Sequence, residues 1–158
     1  MRFCYRKDVM ARDTTTLPLD LAWGRVQPRH FSLVRSRTQI PRQDRTLQQL
    51  PSLAIYPKTE SSDPIAWSFL GPDGSLSSLH VEPEWRGRGL ARKLAARLFT
   101  EGMRVYWGDG DHDKWAHADV AVDNAASNGV CQGLAGEYEF HVCWVRINIG
   151  DVCRGAHV

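Results

Sequence analysis

A single mixed domain of strands and helices is the fold class that this sequence predicts. Three observations predict it. The chain has 158 residues, 42% of them hydrophobic, which is the size of one ordinary domain with enough apolar side chain for a core. Strand-like alternation and helix-like spacing follow one another along the chain instead of falling into separate blocks. A hairpin pattern, Ile65 to Leu70, then Gly71-Pro72-Asp73-Gly74, then Ser75 to Val81, feeds directly into the clearest amphipathic helix.

Met1 to Leu19 is expected to be a flexible lead-in, because Thr14-Thr15-Thr16 and Pro18 carry no period. The folded domain is expected over residues 20–150, with 151–158 as a tail. Leu21 to Val26 reads as a short strand. A helical stretch carrying Phe31, Leu33 and Val34 follows from Pro28 and is closed by Pro41. A second helix is expected from Pro41, where a missing N–H costs nothing, through Leu47 and Leu50 to Pro51. Ser52 to Tyr56 reads as a strand. In the hairpin, the turn's Pro and Gly supply the fixed and the positive φ that such turns need. From Gly87 to Thr100, Leu90, Leu94 and Leu98 recur at spacing four with Ala91 and Ala95 beside them, which predicts an amphipathic helix. Gly108 to Asp113 is a polar loop. Trp115 to Val122 is strand-like, and Asp123 or Asn124 is placed to cap a helix running to about Leu134. Glu137 to Ile147 alternates, with Tyr138, Phe140, Val142 and Trp144 on one face, and closes the sheet.

Composition excludes several classes. Twenty Lys+Arg against eighteen Asp+Glu leave a formal charge of +2, unlike a histone-like basic tail, an acidic solvating segment or a wholly disordered chain. No run of eighteen apolar residues occurs, so no membrane-spanning helix is expected. Met1 to Asp13 is polar and carries Arg2, Arg6, Lys7 and Arg12 with no apolar stretch behind them, so no secretory signal is expected. Cys4, Cys131, Cys143 and Cys153 form no CxxC pair, which points to a reducing compartment, the cytoplasm with the nucleus open. His112, His117 and His141 lack ligand spacing, and no metal site is expected.

Chemistry concentrates in Leu79-His80-Val81-Glu82-Pro83-Glu84-Trp85-Arg86-Gly87-Arg88-Gly89-Leu90-Ala91. A strand ends, a glycine-rich turn follows, and a long helix begins. Two glycines let backbone N–H groups approach a ligand, and the helix N-terminus adds orphan donors and partial positive charge. Together these make an anion site suited to phosphate, strengthened by Arg86 and Arg88. A Walker A loop would need Gly-Lys followed by Ser or Thr, which is absent; Arg92 stands where a dinucleotide fingerprint would place its third glycine. Arg-Gly tracts that contact RNA are repeated and disordered, whereas this one opens an apolar helix.

The run Arg86-Gly87-Arg88-Gly89-Leu90-Ala91, read as Arg-x-x-Gly-x-Ala, resembles the acetyl-CoA pyrophosphate loop of the GCN5-related N-acetyltransferase superfamily. Leu79 to Pro83 looks like the fourth strand of that fold, and Asp119 to Ser127 looks like its fifth strand and following helix. The resemblance covers about Ile65 to Ile147. Within the superfamily, Pro83-Glu84-Trp85-Arg86 and Cys143-Trp144-Val145 look most like the glycine N-acyltransferase-like branch. The resemblance implies the acyl-CoA N-acyltransferase fold: a mixed, mostly antiparallel sheet with a splayed fourth and fifth strand pair and helices on both faces. It also implies transfer of an acyl group from acetyl-CoA, or another acyl-CoA, to a primary amine by direct attack in a ternary complex. No metal, nucleic acid or membrane is implied, and either a monomer or a homodimer is compatible.

Residue roles follow by the same resemblance. The backbones of Arg86, Gly87, Arg88, Gly89, Leu90 and Ala91 would bind pyrophosphate, and those of Leu79 and Val81 would receive the pantetheine arm in strand fashion. Asn124 would hydrogen-bond that arm, with Ser127 one turn on; an asparagine there equally caps a helix. Cys131 stands where many relatives place a tyrosine that protonates the departing thiolate. A thiol with a pKa of about 8.5 can donate a proton, and it can equally be a small buried residue. Ser75 matches the branch's glutamate base and Ser77 a histidine of other relatives, so Ser77 is expected to hold a water that relays a proton. His80, Glu82 and His117 gain no role, and His80 is expected to face away from the Leu79 and Val81 backbone register. The replacements at 75 and 131 motivate a second reading, a CoA-binding or regulatory module without chemistry.

Overall fold

The computed structural model describes residues 1–6, 16–38, 40–59, 63–107, 115–134 and 138–143. Among them, seven strands pair into one sheet. In chain order they are β1 (Arg2–Arg6), β2 (Leu21–Gly24), β3 (Ser52–Pro57), β4 (Ala66–Leu70), β5 (Ser75–Val81), β6 (Trp115–Asp119) and β7 (Tyr138–Phe140), and in space β2-β3-β4-β5-β6-β1-β7. Every ladder is antiparallel except β5 with β6, which run parallel. Four α-helices complete the described fold: α1 (Phe31–Ser36), α2 (Asp44–Gln49), α3 (Leu90–Gly102) and α4 (Ala125–Gly133).

Alternation along β3 and β4 assigns the two faces. Leu53, Ile55, Ala66 and Leu70 point to the side where α3 inserts Leu90, Leu94, Leu98 and Phe99. Ala54, Trp67 and Phe69 point to the other side and meet Phe31 and Val34 of α1 and Leu47 of α2. Leu94 and Phe99 are fully buried, as the spacing of four along α3 requires of its inward stripe. No described helix is long and apolar enough to cross a membrane.

The first six residues overturn the expected lead-in. Arg2–Arg6 sits inside the sheet between β6 and β7, with Phe3 and Tyr5 almost completely buried against α3. A strand hydrogen-bonded on both edges is fixed, and the period of two that buries Phe3 and Tyr5 was present in the sequence. With this strand counted, the strand expected as the fourth is β5, the fifth in chain order.

Several boundaries also move. The helix expected from Pro28 is a 3-10 turn over Pro28–His30 followed by α1. The next helix starts at Asp44 and not at Pro41, because the carbonyl of extended Gln43 accepts the first bonds, from Thr46 and Leu47. The early strand stops at Gly24, and that of Trp115 stops at Asp119 instead of Val122. The helix expected from Gly87 begins at Leu90 and extends to Gly102, leaving residues 86–89 as a loop. The polar loop 108–113, the strand beyond residue 143, Cys153 and the tail 151–158 lie outside the described residues.

Candidate functional site at the parting of two strands

β5 and β6 share only two register pairs, Ser75 with His117 and Leu76 with Ala118. Past these the strands part. β6 keeps to β1: Val120 and Met1 exchange bonds of 2.8 Å, the N-terminal ammonium and the Val120 N–H each donating to the other's carbonyl. β5 keeps to β4 as far as Val81. The parting leaves a cleft of about 350 Å³, walled by Leu76, Ser78 and Leu79 on one side and by Ala118, Asp119 and Val120 on the other. Backbone groups that face such a gap need a partner, and a ligand with amide groups can supply one.

The same strand carries a bulge. Trp67 faces His80 and Phe69 faces Ser77, so Ser68 alone stands opposite both Ser78 and Leu79. Ser78 takes φ 52, the one positive φ of a non-glycine among the described residues. A left-handed first residue is one of the recognised bulge geometries, though with a serine it stores backbone strain. Fully buried Ser68 pins it by donating its hydroxyl to the Ser77 carbonyl at 3.0 Å. The irregularity sits next to Leu79, which lines the cleft between the parted strands.

Below the gap lies the glycine turn. Gly87 and Gly89 have φ of 76 and 72, and a Cβ on either would meet no atom within 4 Å. Gly89 caps α3, whose first intrahelical bond runs from Lys93 N–H to Gly89 O at 3.2 Å. The N–H groups ahead of it are therefore orphan donors, and the first turn carries no acidic side chain to neutralise the positive end of the helix. Arg86 folds back, donating Nε–H to the Val81 carbonyl at 2.9 Å, and so ties the turn to β5. The Arg88 guanidinium lies 4.6 Å from the Trp85 ring centroid, a cation–π contact that turns the side chain aside. What these two arginines leave open is main chain.

A second cleft, of about 610 Å³, opens over this turn. It gathers the predicted Leu79, Val81, Arg86, Gly87, Gly89, Leu90, Ala91 and Ser127, with small residues of α4, Ala126, Gly129 and Gly133, giving the opposite wall room. Arg92, which the sequence singled out only as a missing glycine, also lines it. Leu79, His80 and Ser127 border both clefts, so the two meet at these residues.

The remaining predicted residues divide. Asn124 lines the smaller cleft, and its Oδ1 accepts the Ser127 N–H at 3.1 Å, so its cap function is realised, while its Nδ2 remains a donor group. Cys131 is buried on the same cleft, where burial pushes its thiol up against an opposing contribution from the Tyr5 hydroxyl. That hydroxyl also donates to the Cys131 carbonyl at 3.2 Å. Ser77 is not among the residues lining either cleft; Arg42 donates to its hydroxyl at 2.6 Å. Ser75 is tied into the hairpin turn, donating its hydroxyl to Asp73 at 2.6 Å. His117 stands away from both clefts, 3.6 Å from an Asp73 oxygen.

His80 turns away from Leu79 and Val81, as expected. Its ring stacks on Trp67 at 4.7 Å on the face of the sheet covered by α1, and it borders both clefts. Its Nε2 lies 3.6 Å from Glu82, whose carboxylate accepts from Arg37 Nε at 3.0 and 3.4 Å. Sequence reasoning missed this trio because Arg37 and Glu82 are 45 residues apart. A signal for the bulge was present: the apolar spacing of Leu76, Leu79 and Val81, three and then two, is not a strand's even period. No group of three or more potential metal ligands occurs among the described residues.

The model of the FR47-like protein family matches residues 52–145. No curated protein matches. Solved structures agree in fold: a Drosophila protein (19% identity, TM-score 0.69, covering 87% of this chain and 47% of that one); a GCN5-related N-acetyltransferase from Kribbella flavida (12%, 0.57, 78% and 49%); and an aminoglycoside antibiotic 6'-N-acetyltransferase from Acinetobacter baumannii (19%, 0.58, 82% and 99%). The present chain spans about half the length of the first two. At such identities the likeness carries the fold and not the chemistry. The fold is that of the GCN5-related N-acetyltransferases.

Proposed function

Because the chain belongs to the FR47-like protein family, we propose that it is an acyl-CoA-dependent N-acyltransferase, with acetyl-CoA as donor and a primary amine as acceptor. The observation that carries this reading is the strand parting set directly above a helix N-terminus whose two left-handed glycines leave their Cβ positions in open space. Main-chain amides of residues 86–91 cradle the pyrophosphate, and the orphan donors of α3 add the field. The backbones of Leu79 and Val81 take the pantetheine arm in the gap, Ser127 and the Asn124 amide hydrogen-bonding alongside. The donor and acceptor enter from the two clefts and meet at Leu79, whose N–H, next to the bulge, polarises the thioester carbonyl and stabilises the oxyanion of direct attack in a ternary complex. Holding the reactants together in this way accounts for much of the acceleration.

The protein is placed in the glycine N-acyltransferase-like branch on the residues at 83–86 and 143–145. Its acyltransferase domain is assigned to residues 20–150 with strand β1 completing the sheet, and 151–158 as a tail. A cytoplasmic protein, monomeric or homodimeric, fits this reading. Cys131 acts as the proton donor to the departing sulfur. Burial keeps its thiol protonated, the state a donor needs, although a raised pKa makes the transfer to a thiolate less favourable. Ser77, held by Arg42, is at most an indirect relay. The competing reading, a CoA-binding module without turnover, is supported by that weak donor. Isothermal titration with acetyl-CoA and desulfo-CoA, followed by release of CoA thiol over an amine panel, tests both: no binding at millimolar ligand removes both readings, and binding without turnover leaves only the module.

A further inference from the structure

Resting on the transferase reading, we propose that His80 is the proton acceptor for the incoming amine, its Nδ1 taking the ammonium proton while Glu82 holds the ring through Nε2. Of the three residues that border both clefts, Leu79, His80 and Ser127, only His80 titrates near neutrality. Its position is therefore where acceptor nitrogen and thioester carbon come together, and the histidine matched to no family base stands there.

The ring is oriented from two sides. Trp67 stacks on it at 4.7 Å and 25° between planes, fixing its plane. Nε2 is shut off from solvent without a hydrogen-bond partner among the described residues, and the nearest acceptor is Glu82 at 3.6 Å. A carboxylate on that side favours the tautomer with the proton on Nε2, which leaves the lone pair on Nδ1. Glu82 is itself fixed by Arg37 from the end of α1. The charged groups facing the ring are thus Glu82, Arg86 and Arg37. Burial holds its pKa below the ordinary histidine range; Glu82 opposes this, while Arg86 and Arg37 add to it. A neutral imidazole at neutral pH is the form a base requires.

The step balances as follows. The ammonium gives one proton to Nδ1 and becomes the neutral amine. Its nitrogen attacks the thioester carbon, the C–N bond forms and the C–S bond breaks with the electron pair leaving on sulfur. Cys131 gives its proton to that sulfur and regains one from the second proton of the attacking nitrogen, giving the amide and CoA thiol, and the imidazolium returns its proton to solvent.

The test measures acetyl-CoA affinity by calorimetry and kcat against pH, using the most active of glycine, putrescine and Nα-acetyl-lysine. His80→Phe keeps a ring on Trp67 and removes both nitrogens. It is expected to bind acetyl-CoA within about twofold of wild type and to lose roughly 10²-fold or more of kcat, along with the acid limb of the profile. Glu82→Gln removes the group that raises the His80 pKa and should move that limb to lower pH. In the free protein, nitrogen–proton correlation spectra should show neutral His80 protonated on Nε2 at pH 7.5. A His80→Phe kcat within threefold of wild type, an unaltered acid limb, or the Nδ1–H tautomer overturns the proposal while leaving the transferase intact. Should His80→Phe fail to bind acetyl-CoA, His80→Asn repeats the test, and loss of binding in both assigns the ring to packing alone and also overturns it. Wild-type binding without turnover of any of the three amines removes the transferase reading itself.

Discussion

Gly89→Ala isolates the proposed pyrophosphate cradle from the rest of the fold. The methyl group would meet no atom within 4 Å, so no packing is disturbed. The folded state loses only a backbone preference: φ 72 is left-handed, at roughly 1–2 kcal/mol for a residue with a Cβ. For a chain of this length that corresponds to a melting temperature lower by about 2–8 °C. Binding is affected differently, because the methyl occupies the open space over the turn. Displacing a phosphate oxygen from one amide costs about 1.5–3 kcal/mol for a bond to a charged group, or roughly 10- to 150-fold in affinity. Gly74→Ala is the matched control. It has φ 77 and a Cβ only 3.0 Å from Met103, far from either cleft, so it should destabilise at least as much and bind normally. Desulfo-CoA titration and thermal melts of both variants decide the matter. Gly89→Ala binding within twofold of wild type, or an equal affinity loss in Gly74→Ala, refutes the cradle.

Other outcomes follow from the same geometry. Ser78→Gly removes left-handed strain and a buried hydroxyl that has no hydrogen-bond partner among the described residues, so the melting temperature should hold or rise by a few degrees, about 1 kcal/mol; a fall would deny that the bulge is strained. Asp119 is held below the usual carboxylate range chiefly by its hydrogen bonds to Arg2, both 2.7 Å. Its folded pKa being depressed, the stabilisation is complete above the unfolded value of about 3.9 and is lost as pH falls through the folded value. Urea midpoints between pH 6 and 2.5 should thus fall less steeply in Asp119→Asn, and parallel curves would exclude the pair. Buried Cys131, its thiol pushed up, should react with iodoacetamide at pH 8 far more slowly than exposed Cys143, which peptide mapping checks; equal rates would place Cys131 at the surface.

What the sequence disclosed was local. Leu90, Leu94 and Leu98 announce α3, and Gly71 to Gly74 announce the hairpin, because each signal lies within one element and follows its own period. The candidate anion site was readable for the same reason, since strand end, glycines and helix start are contiguous. Strand β1 escaped because burial of Phe3 and Tyr5 depends on a partner, β6, more than a hundred residues away. Arg37 with Glu82 and Arg42 with Ser77 are likewise made only by the tertiary fold. The cap at Asn124 and its matched cofactor role draw on one side chain, so composition alone could not separate them.

The bulge ties the two halves of the site together. Under strict alternation, Leu76, Ser78 and His80 would share the α3 face, sinking an imidazole into the main core and turning Val81 outward. One extra residue opposite Ser68 reverses everything after it. Leu79 and Val81 then pack toward α3 with Leu76, as their hydrophobicity demands, and His80 swings to Trp67 on the opposite face. The same insertion lies beside the gap that opens after Leu76. A single backbone irregularity thus sets Leu79 and His80 on opposite faces of the sheet at the junction of the two clefts. This is why the strand's polar run, Ser75-Leu76-Ser77-Ser78-Leu79-His80-Val81, fits neither a regular edge strand nor a regular core strand.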